Sequence, residues 1–303
     1  MLPEKFIPVR QLGEGGFARV VLCQGEITGK HVAVKYLKTS EPAALERFRR
    51  EVDGMSSICH RNIVPVLAHD LNAAEPYYVM PYYCNGSLRD KLTLLGSEGK
   101  RIEPSMVLRM VLTLLEGLEH LHQHGIFHRD LKPENIFIDG DQAFVIGDLG
   151  ISRFDNSECA TITHAGVGTK GYCAPEQACD GTGSRQADIF SLGVVLFEIL
   201  TLRQPSYGKY GVPCCVPSSV VWNIPAEIDE LFRGMTAPEP QDRFGDCKVL
   251  RKRIRAILKG EYKAHRPSGV NWGAVIAAGI LVGLVFVLVG GLTKGSGQTG
   301  SAK

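Results

Sequence analysis

The stretch His128-Arg129-Asp130-Leu131-Lys132-Pro133-Glu134-Asn135 constrains this chain more than any other. An apolar run (Val107 to Leu121) precedes it, and a short β-branched and aromatic run (Ile136-Phe137-Ile138) follows. That order predicts a helix, a polar loop and a strand. Within the loop, a carboxylate at 130 can orient a hydroxyl and accept its proton. An ammonium at 132 can neutralise a phosphoryl group in transit, and an amide at 135 can hold a divalent cation. Turn capping by Asp and Asn would account for the residue types singly, but not for their order and spacing.

These eight residues resemble the catalytic loop of the protein kinase superfamily. The resemblance implies an α+β, two-lobed fold with a β-rich N-lobe and an α-helical C-lobe, and ATP bound between the lobes. It assigns Asp130 and Lys132 to catalysis. Other motifs stand where the family needs them. Arg10 to Lys38 reads as three strands enclosing Gly13-Glu14-Gly15-Gly16-Phe17-Ala18-Arg19-Val20. Glycines there let backbone N–H groups approach phosphates and take φ values closed to other residues. Alone the pattern also suits a hairpin turn, and Ala18 departs from the family's last small glycine. Val32-Ala33-Val34-Lys35 then resembles the strand whose lysine holds the α- and β-phosphates, with Gly13, Gly15, Val20 and Ala33 lining the nucleotide. Helical spacing over Glu41 to Ile58 (Leu45, Phe48, Val52, Met55) resembles the C helix, with Glu51 as the partner of Lys35 and Glu46 as a weaker rival. Tyr77 to Tyr83 resembles the hinge strand. Met80 would be the gatekeeper, the Pro81 carbonyl one adenine contact and the Tyr83 N–H the other; proline lacks an N–H but keeps its carbonyl.

Downstream, Phe144-Val145-Ile146-Gly147-Asp148-Leu149-Gly150 is a strand ending in Asp-Leu-Gly, thirteen residues past Asn135. It resembles the Asp-Phe-Gly metal site with Leu149 for Phe, so Asp148 and Asn135 would hold Mg²⁺, with Mn²⁺ as an alternative. The polar segment from Ile151 to Cys173, closed by Ala174-Pro175-Glu176, resembles an activation segment. Thr161 and Thr163 match the Thr-x-Thr spacing of bacterial Ser/Thr kinases. Arg129 would pair with a phosphate on this segment, and Thr169 with Lys132 favours Ser/Thr over Tyr acceptors. Asp188 opens an apolar helix to Leu200, the family's F helix, and would hold the catalytic-loop backbone. Arg243 matches the arginine that pairs with Glu176. The resemblance covers about Phe6 to Leu258. Tyr207 to Val221 has little periodicity and reads as a loop without an assigned role.

Composition enters where the motifs are silent. The chain of 303 residues has a net charge of +2, which gives no general excess of positive charge for a nucleic-acid backbone, so no nucleic-acid partner is expected. Nine scattered cysteines without a Cys-x-x-Cys pair read as free thiols in a reducing compartment. No amino-terminal apolar leader is visible. At the other end, Gly273 to Leu292 runs 20 residues without a charge, enough at ~1.5 Å per residue for a helix of roughly 30 Å, one hydrocarbon core. Arg251, Lys252, Arg253, Arg255, Lys259, Lys263 and Arg266 precede it, and only Lys294 and Lys303 follow. The positive-inside rule then predicts a single-pass protein with its large part cytoplasmic, in a plasma (inner) membrane for a bacterial chain. Gly279 and Gly283 form a small-xxx-small face, on which a homodimer is a hypothesis.

The expected organisation is an N-lobe and hinge over 1–84, a C-lobe over 85–259 and a basic juxtamembrane linker over 260–272. A transmembrane helix over 273–292, in contact with membrane lipid, and a polar tail over 293–303 complete it. The expected activity is ATP-dependent phosphorylation of protein Ser/Thr hydroxyls, with autophosphorylation of the activation segment. The alternative is a membrane-tethered pseudokinase or scaffold, which would ordinarily lack Lys35, Asp130 or Asp148; all three are present.

Overall fold

Short apolar and β-branched runs carry the first part of the chain into a five-stranded antiparallel sheet. The computed structural model describes residues 5–39, 41–140, 143–149, 171–181, 183–208 and 211–260. Strands β1 (Phe6–Glu14), β2 (Ala18–Gly25) and β3 (His31–Leu37) form a meander. Helix α1 (Pro42–Ser56) interrupts it, and β4 (Ala68–Asp70) and β5 (Tyr77–Pro81) complete the order β1-β2-β3-β5-β4. The pleat separates two faces. Ala33, Leu37, Tyr78 and Met80 join the main core with Phe48, Val52 and Met55 of α1, while Cys23, Val34 and Val79 form a small cluster on the opposite face. Lys35 shares the first face by alternation, directly across from Tyr78.

The rest is mainly helical: α2 (Leu88–Ser97), α3 (Pro104–Gln123), α4 (Pro175–Asp180), α5 (Arg185–Thr201), α6 (Ala226–Met235) and α7 (Cys247–Leu258). Between α3 and α4 lies a two-stranded antiparallel ribbon, β6 (Ile136–Asp139) with β7 (Ala143–Ile146). A capping box between Ser87 and Asp90 starts α2. Every residue of α5 from Ala187 to Thr201 is buried, so this helix is the axle of the helical lobe rather than an amphipathic surface element.

Two expectations change. The helix expected to open at Asp188 begins at Arg185, because the Ser184 side chain accepts the Ala187 N–H and caps it earlier. The strand β4 was not expected. Its three residues are all exposed and carry no apolar alternation; pairing with β5 makes them a strand. Thr161, Thr163, Thr169, nearly all of the linker over 260–272, the span over 273–292 and the tail over 293–303 lie outside the described residues. Among the described residues no helix is long and apolar enough to cross a membrane.

Candidate active site

Three segments deliver one cluster of charge. Lys35 Nζ on β3 lies 2.7 Å from Glu51 Oε1 on α1 and 2.9 Å from Asp148 Oδ1, just past β7. Glu51 is buried, three residues after Phe48 on the inner face of α1. Glu46, the rival, pairs instead with Arg50 on the outer face at 3.1 Å. Burial works to lower the Lys35 pKa, but Asp148 and then Glu51 override it and hold the ammonium well above its ordinary value. Burial works to raise the Asp148 carboxyl, and the Lys35 ammonium reverses this and holds it below the usual range. Lys35 and Asp148 are therefore both charged at neutral pH.

The loop after α3 is held from beneath. Asp188, 1% exposed on α5, accepts the N–H of His128 at 2.9 Å and of Arg129 at 2.9 Å, and meets His122 Nε2 at 2.8 Å. His128 Nε2 lies 3.1 Å from the Gly147 carbonyl, which can only accept, so Nε2 carries the proton and Nδ1 is left to accept the Asp130 N–H at 3.3 Å. Burial lowers the His128 pKa against the pull of Asp188 and Asp130, which keeps the ring neutral. Above this base Lys132 Nζ is 3.0 Å from Asp130 Oδ2. Asn135 Nδ2 donates to the Asp130 carbonyl at 2.8 Å and to Oδ2 at 3.1 Å. The Asn135 carbonyl accepts the Gly147 N–H at 2.9 Å, tying the loop to the Asp148 segment.

Arg129 (φ 64°) and Asp148 (φ 50°) both sit in the left-handed region. Such backbones cost of order 1–3 kcal/mol for non-glycine residues and persist only where surrounding bonds enforce them. Here Asp188 below and Gln177, whose Nε2 donates to the Arg129 carbonyl at 2.6 Å, enforce the first. Gly183 leaves room for it: a Cβ there would stand 2.2 Å from Arg129 Nε. Arg243 binds Glu176 through Nη1 and Nη2 (2.6 and 2.8 Å) and also donates to the carbonyls of Gln186, Ala237 and Pro238.

The glycine turn behaves differently from the expectation. Gly13, Gly15 and Gly16 are not among the glycines with positive φ, so left-handed backbone is not why glycine stands there. A Cβ at 13 or 16 would meet nothing within 4 Å, and Gly15 closes the turn by donating its N–H to the Ala18 carbonyl at 2.8 Å. Missing side chains leave open backbone beside Val20 and Lys35, which face each other across the β2–β3 ladder. Ala33, buried beside Met80 across β3–β5, completes the floor. Pro81 ends β5, and the Tyr83 ring stacks on Phe137 at 5.4 Å, placing the hinge against β6.

This donor set fits a nucleotide and its metal. Mg²⁺ commonly takes one or two protein ligands and completes its shell with phosphate oxygens and water. One carboxylate (Asp148) and one amide (Asn135) beside an ammonium and an open glycine turn answer that need. Among the described residues no cluster of three or more metal-binding side chains exists to hold an ion by protein alone.

The protein kinase domain model matches residues 6–254, from β1 into α7. The chain belongs to the protein kinase family. Its relatives include the serine/threonine-protein kinase PrkC of Bacillus subtilis, 33% identical over 84% of this chain and 40% of that protein. The probable serine/threonine-protein kinase SCO3848 of Streptomyces coelicolor is 32% identical over 88% of this chain and 42% of that protein. PknB of Mycolicibacterium smegmatis, also a serine/threonine-protein kinase, is 32% identical over 82% and 42%. The chain thus matches about two fifths of the length of these curated relatives.

Sequence reasoning passed over two features of the kinase domain. Arg89 on α2 joins Glu134 (2.8 Å), Glu198 of α5 (2.6 Å) and the Tyr172 hydroxyl (2.7 Å), linking four segments around the loop. Tyr207, in the loop without an assigned role, donates its hydroxyl to the Gly171 carbonyl. Neither belongs to a local motif, and no spacing signal could have found them.

Proposed function

We propose that this chain is an ATP-dependent, membrane-anchored Ser/Thr protein kinase. One observation carries the reading: Lys35, Glu51 and Asp148 form a single charged cluster, while Asp130, Lys132 and Asn135 are bonded together on one loop tied to the Asp148 segment. When bound, Mg²⁺ would neutralise phosphate charge, with Asp148 and Asn135 as its protein ligands. The chain's own residues do the rest. Lys35 binds phosphate oxygens, held by Glu51. Asp130 orients the acceptor hydroxyl and takes its proton, and Lys132, 3.0 Å away, offers positive charge to the transferred group. The names of the relatives favour Ser/Thr acceptors.

Autophosphorylation at Thr161 or Thr163, with Arg129 as the phosphate's partner and Thr169 beside the acceptor, extends this reading. So does anchoring in a plasma membrane by 273–292 with the kinase domain cytoplasmic. Arg251 and Arg253 pair with Glu119 and Glu230 inside the domain, so the orientation argument rests on the basic residues nearer the span. Dimerisation through Gly279 and Gly283 would bring two activation segments together.

The test is transfer of radiolabelled phosphate from ATP·Mg²⁺ by the full chain in detergent or vesicles, against Asp130→Asn, with mass spectrometry of the product. Label on Ser or Thr that the variant loses is the expected result. Nucleotide binding without transfer would move the chain to the scaffold reading.

A further inference from the structure

Tyr78 belongs to none of the motifs, yet it reaches the centre of the site. It is fully buried on β5, directly across the ladder from Lys35. Its hydroxyl lies 2.9 Å from Glu51 Oε1 and 3.5 Å from Asp148 Oδ1. Its ring lies 5.6 Å below Lys35 Nζ, within cation–π range, and packs on Phe48 of α1 with centroids 5.5 Å apart. Met80, its strand neighbour on this face, is apolar, so this face of β5 carries one side-chain polar atom, and it is aimed at the ion cluster.

We propose that Tyr78 is a positioning residue for nucleotide phosphates: its hydroxyl fixes Glu51, and through Glu51 it fixes Lys35. This rests on the kinase reading of the site. A phenol has one proton to donate, and carboxylates only accept. At 2.9 Å that proton goes to Glu51, the nearer oxygen. Lys35 here divides its ammonium between Glu51 and Asp148, but phosphate and metal binding require it to give up Asp148. When it does, Glu51 still has the Tyr78 proton, which does not move with the lysine. Phe48 holds the ring from the α1 side, so the same residue joins sheet, helix and ion pair. Burial, and then the charge of Glu51, push the phenol's pKa well above its ordinary value, so it remains a donor throughout the working pH range.

The experiment compares the full chain with Tyr78→Phe, which deletes one oxygen and keeps the ring. Steady-state kinetics with a Ser/Thr protein acceptor, nucleotide binding and thermal unfolding are measured on both. Loss of a hydrogen bond to a charged group predicts a fall of about tenfold in kcat/KM for ATP, with KM for the acceptor unchanged. In a Glu51→Gln background the same substitution is expected to add nothing. A variant with kinetics within about twofold of wild type, or one equally costly in both backgrounds, overturns the proposal. A purely structural role would lower Tm and the active fraction while leaving both KM values alone, and would also overturn it. Should the phenylalanine variant not fold, 4-aminophenylalanine at 78, which keeps an N–H donor in place, and 4-fluorophenylalanine, which has none, replace it. A kcat/KM for ATP kept by the first and lost by the second sustains the proposal, and equal values overturn it. If the unaltered chain neither binds nucleotide nor transfers phosphate, the kinase reading and this inference fall together. If it is active and only the Tyr78 result fails, the inference alone falls.

Discussion

The molecule contains two buried acid–base ties built on opposite plans. In the helical lobe, Arg243 has no exposed side-chain surface, grips Glu176 bidentately, donates to three carbonyls and lies 4.9 Å over the Phe190 ring. In the sheet lobe, Lys35 offers a point charge that Glu51 and Asp148 share. A guanidinium's fixed fork commits each donor to one direction, whereas an ammonium can exchange partners without leaving its place. The first tie is suited to holding α4 and the end of the activation segment in position. The second is suited to releasing a carboxylate when phosphates arrive. Arg243 is fully buried, whereas Lys35 and Asp148 keep 15% and 32% of their side-chain surface, so exposure and the chemistry of the cation act together.

Breaking each tie should separate stability from activity. Lys35→Met should lower phosphate transfer at least about a hundredfold while the thermal transition moves little, because most of the loss is positioned charge at the phosphates. A variant that retained transfer would remove Lys35 from its role. Arg243→Ala should do the reverse, costing about 3–5 kcal/mol by leaving Glu176 without its partner, and Arg243→Lys should recover only part of this. Chemical denaturation of the three proteins measures it, and full recovery by lysine would dissolve the contrast.

Smaller changes sharpen it. Gly117 on α3 lies so close to the preceding loop that a Cβ would stand 2.9 Å from the Asn62 backbone oxygen. Gly117→Ala should therefore destabilise by about 1–3 kcal/mol. A neutral result in urea unfolding would show that the loop can retreat. His128 has its pKa lowered by burial, so the unfolded chain binds that proton more readily than the folded one. Its contribution is present above the unfolded value of about 6.5 and is lost as pH falls below it towards the folded value. Stability measured across that window should drop on acidification, and less steeply in His128→Asn. Glu46→Ala should change stability by no more than about 0.5 kcal/mol and leave transfer intact, since its pair with Arg50 is exposed. A large effect there would reopen the choice between Glu46 and Glu51.

Much of the architecture was readable because local rules act within a few residues. Short apolar runs bounded by turn residues announce β2, β3 and β5, and apolar spacing announces α1 and α3. Exposed β4 follows no such rule. The start of α5 turned on Ser184, which has no acidic residue three positions later to complete a recognisable box. The glycine turn was identified for a partly mistaken reason: its glycines provide space rather than unusual φ, and only neighbouring atoms can tell these apart.

The sequence by itself determined the chemical inventory. Which residues can hold a metal, accept a proton or neutralise phosphate is a matter of side-chain type and order, and Lys35, Asp130, Lys132, Asn135 and Asp148 were legible on those terms. Tertiary structure alone decided the convergence. Lys35 and Asp148 are 113 positions apart, and their contact depends on where β3 and β7 pack. Tyr78 marks the limit of the sequence. An aromatic residue in an apolar strand looks like core filling, because its oxygen acquires meaning only when α1 and β3 bring a carboxylate and an ammonium to it.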